Sequence, residues 1–543
     1  MRGTSAYIPE DTVVLSLNQL CRLCLIWSLC VLLFPTFGTA RVSVNLPLDD
    51  PAYPLLEKLT SSGLTFTNAL TLKPITRLHA ARLVAEAIEQ RLRELDVAHW
   101  QEPFLDEVLE YLASRFKREL QQLGFLTYLG RRSPFFLAPL SELKLNMVFA
   151  SNPFVHRDSS GETTNLQGVF SLNNGFAYGD DFTLRTGSIS WLTLWNTAAL
   201  YVEPRTIIRT DPLLGEDTFD VDLHRLYVKA EYANLELALG RDTPSWGPAA
   251  QADLVLSPNA PPLDGLKFGT PMPFRLPGVF KEAGEWQMTY FVARLEDDRE
   301  FPHALLSGIR FAYQPVSYLK FGFTNAFMAF GEGGVRLDPW EYARRLFVPE
   351  FDTAGRTVNS VVAYDVVLTV PFVRDWVWVK GVKLYWQKGR DNRRNIDGVL
   401  GGGNILGGVL DGGRWDLRAE FAETRDQGAV WYTHPTYRNG FAFKDFFIGH
   451  PIGGVAQGWF ARATYYLTPT AWVAADGRYE QYGVDEQATE TIQQRFGPEG
   501  SYQLPWLQRD LVLWGRVEYA TLDEPATACQ RAFTAQLSAR WRF

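Results

Sequence analysis

Cysteine is almost missing from this 543-residue chain: there are four, and Cys21, Cys24 and Cys30 crowd into one early segment. Past that segment only Cys529 remains, which excludes an intrachain disulfide framework. Long apolar runs are missing too. A helical span needs about twenty apolar residues, and the best candidate, 361–382, is broken by Asp365, Arg374 and Asp375. That excludes a polytopic helical membrane protein. Basic charge is in deficit, with 53 Lys and Arg against 61 Asp and Glu and a net charge of −8. Basic clusters are short, so nothing points to nucleic acid.

What is abundant is aromatic and small. Aromatics make up 14% of the chain, with 17 Trp and 44 Gly, yet the mean hydropathy is only −0.13. Mild hydropathy with many Trp, Tyr and Phe suits strands that show apolar residues to lipid and polar ones to a lumen. The last eleven residues, FTAQLSARWRF, alternate without a break: Phe533, Ala535, Leu537, Ala539, Trp541 and Phe543 share one face of a strand. About ten residues is what a tilted strand needs to cross a bilayer. At the other end, Arg22 precedes an apolar run, Leu23 to Phe34, with small residues at Gly38 and Ala40. This pattern predicts a secretory signal over residues 1–40.

Between the termini the period changes once. From Val44 to Tyr128 it is helical: Tyr53–Leu59 runs to a stop at Gly63, and Thr76 is placed to cap a helix carrying Leu78, Ala81, Ala85 and Ile88. A third stripe runs from Leu105 through Leu109, Leu112, Phe116 and Leu120 to Leu123. These segments predict a helical subdomain over 41–130, read as periplasmic. The phrase also looks like the helical hairpins of S-layer-homology modules, so self-packing and wall binding both stay open.

From Leu143 the period is two. Leu235–Leu239, Leu319–Phe323, Val382–Trp386, Trp415–Phe421 and Leu511–Tyr519 each alternate apolar with polar residues. At roughly 20 to 25 residues per strand and connection, 143–543 holds about 16 to 20 antiparallel strands. The expectation is an all-β transmembrane barrel of about 18 strands, closed by pairing its first strand near Leu143–Phe149 with Phe533–Phe543. Gly401–Gly403, Gly407–Gly408 and Asp211–Asp217 read as loops.

The densest chemistry lies from Glu420 to Gly454. Trp431, Tyr432, His434, Tyr437, Arg438, Asn439 and His450 crowd there among several glycines. A second dense stretch, GRDTPSWGPAAQADLVLSPNAPPLDGLKF, carries Arg241 and Trp246; a third is the Gly331–Glu332–Gly333–Gly334 turn. These runs resemble the Wzi-type capsule-assembly barrels, with their Trp-Tyr-x-His…Gly-His-Pro-x-Gly run and Gly-Arg-x-x-x-x-Trp-Gly-Pro…Leu-x-Leu-Ser-x-Asn-Ala stretch. The resemblance implies an outer-membrane barrel of about eighteen strands, a periplasmic helical bundle, and lectin-like anchoring of capsular polysaccharide at the cell surface.

The residues argue in the same direction. Trp and Tyr faces stack on pyranose rings, while Arg, Asn and His supply directed hydrogen bonds. Trp431, Tyr432, His434, Tyr437, Arg438 and His450 are the candidate polysaccharide contacts, with Arg241 and Trp246 beside them. The competing reading makes Trp431 and Tyr432 girdle aromatics, and has Pro244, Gly247 and Pro248 shape a loop folded into the lumen. No catalytic set, cofactor or metal site is implied. No Ser flanks His434 or His450, two His lack a third ligand, and Glu420 and Glu423 point to opposite faces of one strand. The expected partners are extracellular polysaccharide, outer-membrane lipid and lipopolysaccharide, and the barrel-assembly machinery. A diffusion porin or export channel is the alternative.

Overall fold

The computed structural model describes residues 41–67, 70–95, 103–126, 134–151, 172–176, 181–210, 218–348, 358–370, 373, 376, 378–391, 402–425, 431–483, 490–506, 509–525 and 529–543. The signal at 1–40 and the acidic segment Asp211–Asp217 lie outside them.

Eighteen antiparallel strands, each paired to the next in sequence, close into a barrel. Closure joins Phe135–Ser151 to Gln530–Arg542, with Leu143 opposite Trp541 and Phe149 opposite Ala535. Alternation sorts the side chains. Leu239, Leu406, Trp459, Phe496 and Leu537 stand exposed on the outer wall, a band of apolar surface far larger than a water-facing wall carries. Their neighbours point into the lumen, where Arg310 donates two bonds to Asp365 at 2.8 and 3.0 Å, both side chains fully buried.

The two ends differ. One carries tight connections, such as those after Tyr232, Val316, Asp411 and Thr468; the other carries the long ones. Helices Ala52–Ser61, Arg77–Leu95, Pro103–Arg115 and Lys117–Leu123 pack on one another at the tight-turn end. Thr76 caps as its position predicts, its Oγ1 accepting from His79 N at 3.0 Å. The first helix reaches into the lumen. Lys58 pairs with Asp411 at 2.8 Å and Asp416 at 3.4 Å, and Glu57 with Lys383 at 2.7 Å. Charges this deep persist only when paired, so the helix is locked to the wall by its polar side.

Two details depart from the sequence reading. Gly403, Gly407 and Gly408 lie inside the strand Gly403–Asp411 rather than in a loop, Gly402 precedes it, and Gly401 lies outside the described residues. The reason is steric: a Cβ on Gly407 would stand 2.4 Å from the Tyr385 hydroxyl. The helix Pro339–Phe347, capped by Asp338, has no counterpart in the alternation pattern. It lies on the outer wall, where Asn325 donates to Arg345 O at 2.6 Å and Tyr342 meets Tyr290 at 2.7 Å.

Candidate functional site

The dense segments of the sequence fold into the long-loop end of the barrel and meet there. The connection between strands Leu235–Asp242 and Leu263–Gly269 turns inward, so that Trp246 is buried and stacks edge-on to Phe291 at 5.2 Å. Its backbone pairs with Leu72–Lys73, the segment that leads into the second helix. Below it, Glu420 accepts from Tyr385 Oη at 2.6 Å and from Ala250 N at 2.8 Å. One buried carboxylate thereby satisfies a donor of the wall, Tyr385, and a backbone donor of the loop, Ala250.

The connection after Trp415–Glu423 lies over this loop. Ser257 Oγ donates to Gly449 O at 2.5 Å and Asn259 Nδ2 to Phe447 O at 2.9 Å. Tyr432 Oη donates to Leu254 O at 2.6 Å and accepts from His450 N at 2.9 Å. Trp431 lies against Gly389 and Gly403, where a Cβ would stand 2.9 and 2.4 Å from its ring. Glycine is required there because the indole occupies the space of a side chain. The third dense segment joins through Tyr437, which accepts from Val335 N and donates to Phe330 O, both at 3.2 Å. The three runs that carry the resemblance thus build one lid.

Each candidate contact can now be placed. Trp431, Tyr432, Tyr437 and Trp246 are buried, so their faces hold other side chains. His434 Nδ1 accepts from Thr436 N and Tyr437 N at 3.1 Å, and His450 Nδ1 accepts from Ile452 N at 3.2 Å. Burial lowers both imidazoles to about 4; they are neutral at physiological pH, as acceptors must be. Arg241 stands on the outer wall, paired with Asp264 at 2.7 Å and Asp222 at 3.4 Å, away from the lid. Arg438 alone of the eight is open, its side chain 79% exposed beside Glu300 at 3.6 Å.

Arg438 has exposed polar neighbours, of which the sequence reading had named only Asn439. Asn439 accepts from Glu300 N at 2.8 Å, and Lys444 and Asp445 form the exposed tip of the hairpin Ala442–Phe447. Across from them His303 lies 3.3 Å from Glu332. The signal in the sequence was the charged run Glu296–Glu300 and the Lys444–Asp445 pair set between Phe443 and Phe446; the structure puts both of that pair at positive φ. Together they make a polar rim of both charge signs around the outer face of the lid.

Comparison with known proteins fits this architecture. A family model described as "Capsule assembly protein Wzi" matches residues 153–530. No curated protein matches in sequence. Among solved structures, the Escherichia coli protein described as Wzi, an outer-membrane protein involved in group 1 capsule assembly and a carbohydrate-binding β-barrel, aligns with a TM-score of 0.62 at 14% identity, over 91% of this chain and 99% of that one. Pseudomonas aeruginosa OpdQ and Acinetobacter baumannii OccAB2 align at 11% identity over 74% of this chain and 96% and 98% of theirs, with TM-scores of 0.42 and 0.44. The first likeness is one of fold; the family match covers most of the chain, and the protein belongs to the Wzi capsule-assembly family of outer-membrane β-barrels.

Proposed function

We propose that this barrel is a non-catalytic, lectin-like anchor that holds capsular or other extracellular polysaccharide at the cell surface through the outer face of its lid. The observation that carries the reading is the division of labour within the lid: the dense aromatics are spent on packing, and the rim they support presents Arg438, Asn439, Lys444 and Asp445 to the outside. Arg and Asn offer the directed hydrogen bonds a glycan needs, and Arg can grip a sugar carboxylate with two parallel bonds. The tight turns and helical bundle then face the periplasm, as short turns do in bacterial outer-membrane barrels. Terminal Phe543, whose N–H donates to Ser141 O at 3.1 Å, belongs to the strand offered to the assembly machinery. The outer-wall helix Pro339–Phe347 sits where lipid or lipopolysaccharide would touch it.

The lid makes a porin a poor second reading, because bundle and lid stand at opposite ends of one lumen. Two measurements test the proposal. Cells carrying Arg438→Ala with Asn439→Ala should shed polysaccharide into the medium while keeping normal barrel levels, and the parent should be nearly silent in planar bilayers. Unchanged binding of isolated polysaccharide by that variant refutes the rim as the contact surface. Large steady conductance of the parent moves the assignment to a porin.

A further inference from the structure

The lid and its core fill one side of the lumen; the opposite side holds a cavity of about 620 Å³. That volume is in the range of sites that enclose small ligands, about 300–1,000 Å³. Its lining is charged, with seven Lys or Arg side chains against four carboxylates. Most are paired: Arg540 holds Asp49 at 2.6 Å, and Lys144 holds Asp49 and Glu203 at 3.0 and 3.2 Å.

One row of the wall is built differently. Register places Trp472 opposite Ser501, Ser501 opposite Trp514, Trp514 opposite Ser538, Ser538 opposite Asn146 and Asn146 opposite Arg185. Six adjacent strands thus present one continuous inward row, and all six side chains line the cavity. Its members are under-used. Arg185 has no carboxylate partner among the described residues and lies 4.8 Å over the Phe176 ring. Asn146 Oδ1 is buried without a hydrogen-bond partner. Trp514 makes no ring contact or hydrogen bond among the described residues. Arg185 without a carboxylate and Trp514 without a ring partner line this cavity, and the buried Asn146 oxygen beside them is left unsatisfied, which costs stability unless another group meets it.

We propose that this row is a saccharide site inside the barrel, taking a short acidic sugar segment. The pyranose ring stacks on Trp514, a carboxylate meets Arg185, and ring hydroxyls reach Asn146, Ser501 and Ser538. The row lies apart from the rim, so the two sites stand or fall separately. A phosphate could satisfy Arg185, but it would leave the indole and the hydroxyl row idle.

The test uses the full-length protein in detergent, titrated calorimetrically with trigalacturonate, maltotriose and inorganic phosphate. The parent should bind trigalacturonate better than either other probe. Arg185→Gln and Trp514→Leu should each weaken it by about tenfold, the scale of one lost charge-assisted or stacking contact. Trp514→Leu should keep the heat-dependent shift in electrophoretic mobility that marks a folded barrel, since the indole makes no ring contact or hydrogen bond among the described residues. The proposal is overturned if the parent does not bind trigalacturonate, if both variants bind as the parent does, or if phosphate binds as tightly as the saccharide. Such failure with Arg438-dependent retention intact would leave the surface reading standing.

Discussion

The lumen of this barrel has two sides made by the same strand pattern and filled in opposite ways. On the side spanned by strands Leu263–Gly269 through Trp415–Glu423, inward positions include Ala293, Ala326, Ala363, Gly389 and Gly403. Small wall residues leave room, and the inward loops fill it with Trp246, Leu254, Trp431, Tyr432 and Phe447. On the other side the inward positions are Arg, Lys, Glu, Ser and Trp, and the space stays open to water. Alternation decides only that one face looks inward. Residue size and pairing on that face decide whether a loop packs there: an apolar loop gains by burial against small groups, and the ionic groups on the filled side are satisfied, Arg310 by Asp365 and Glu420 by Tyr385 and the Ala250 amide.

The comparison breaks most severely at Trp431. Replacing it with Ala empties a fully packed site against Gly389 and Gly403 and should cost about 3–5 kcal/mol of lid stability. The strand framework should survive, so the expected signature is a rise in single-channel conductance with the folded-barrel gel mobility retained. Little change in conductance would mean that the bundle alone seals the lumen.

Overfilling the same contact should cost less. Gly403→Ala places a methyl inside the indole's contact distance, with an expected loss of about 1–3 kcal/mol, read as a lower melting temperature of the lid transition. A matching change on the wet side, Ser538→Ala, should be close to neutral, since that position faces open space. Equal costs would erase the distinction between the two sides.

A pH titration sharpens the same point. His434 and His450 bind protons at about 4 in the folded lid, against a free value near 6.5. The unfolded lid therefore takes up more protons than the folded one between those limits, and lid stability falls as pH drops from about 6.5 to about 4. Proteolytic nicking within 431–454 should rise over that window, and His434→Gln with His450→Gln should flatten the response. The smallest structural effect belongs to Arg438→Ala: an exposed side chain with one weak ion pair should change stability by less than about 0.5 kcal/mol. Its expected effect under the proposed function is polysaccharide release without loss of barrel.

Much of this fold is legible because its rule is local. The unbroken alternation from Phe533 to Phe543 and its partner near Leu143 identify the closing pair, since neighbouring residues suffice to define a face. Thr76 and Gly63 mark helix limits for the same reason. The helix Pro339–Phe347 escaped because one short amphipathic turn between strands carries too few periods to stand out. Gly407 and Gly408 misled because turn chemistry and a close contact across strands both select glycine; the Tyr385 ring stands against Gly407 and the Leu384 side chain against Gly408, and only the fold shows either.

The candidate site divides along the same line. The density of Trp431, Tyr432, His434, Tyr437 and Arg438 singles out one segment, and it is the motif there that resembles the Wzi-type capsule-assembly barrels. Sequence could not tell a sugar-stacking Trp from one packed on two glycines more than a dozen residues away in another pair of strands, because burial is a property of what arrives from elsewhere in the chain. Strand period, closure and family were therefore determined by the sequence, through patterns that neighbouring residues define. Only the tertiary structure decided that the aromatics face inward as a lid, that Arg438 stays outside, and that six residues from six strands form one row, since each depends on contacts between segments far apart along the chain.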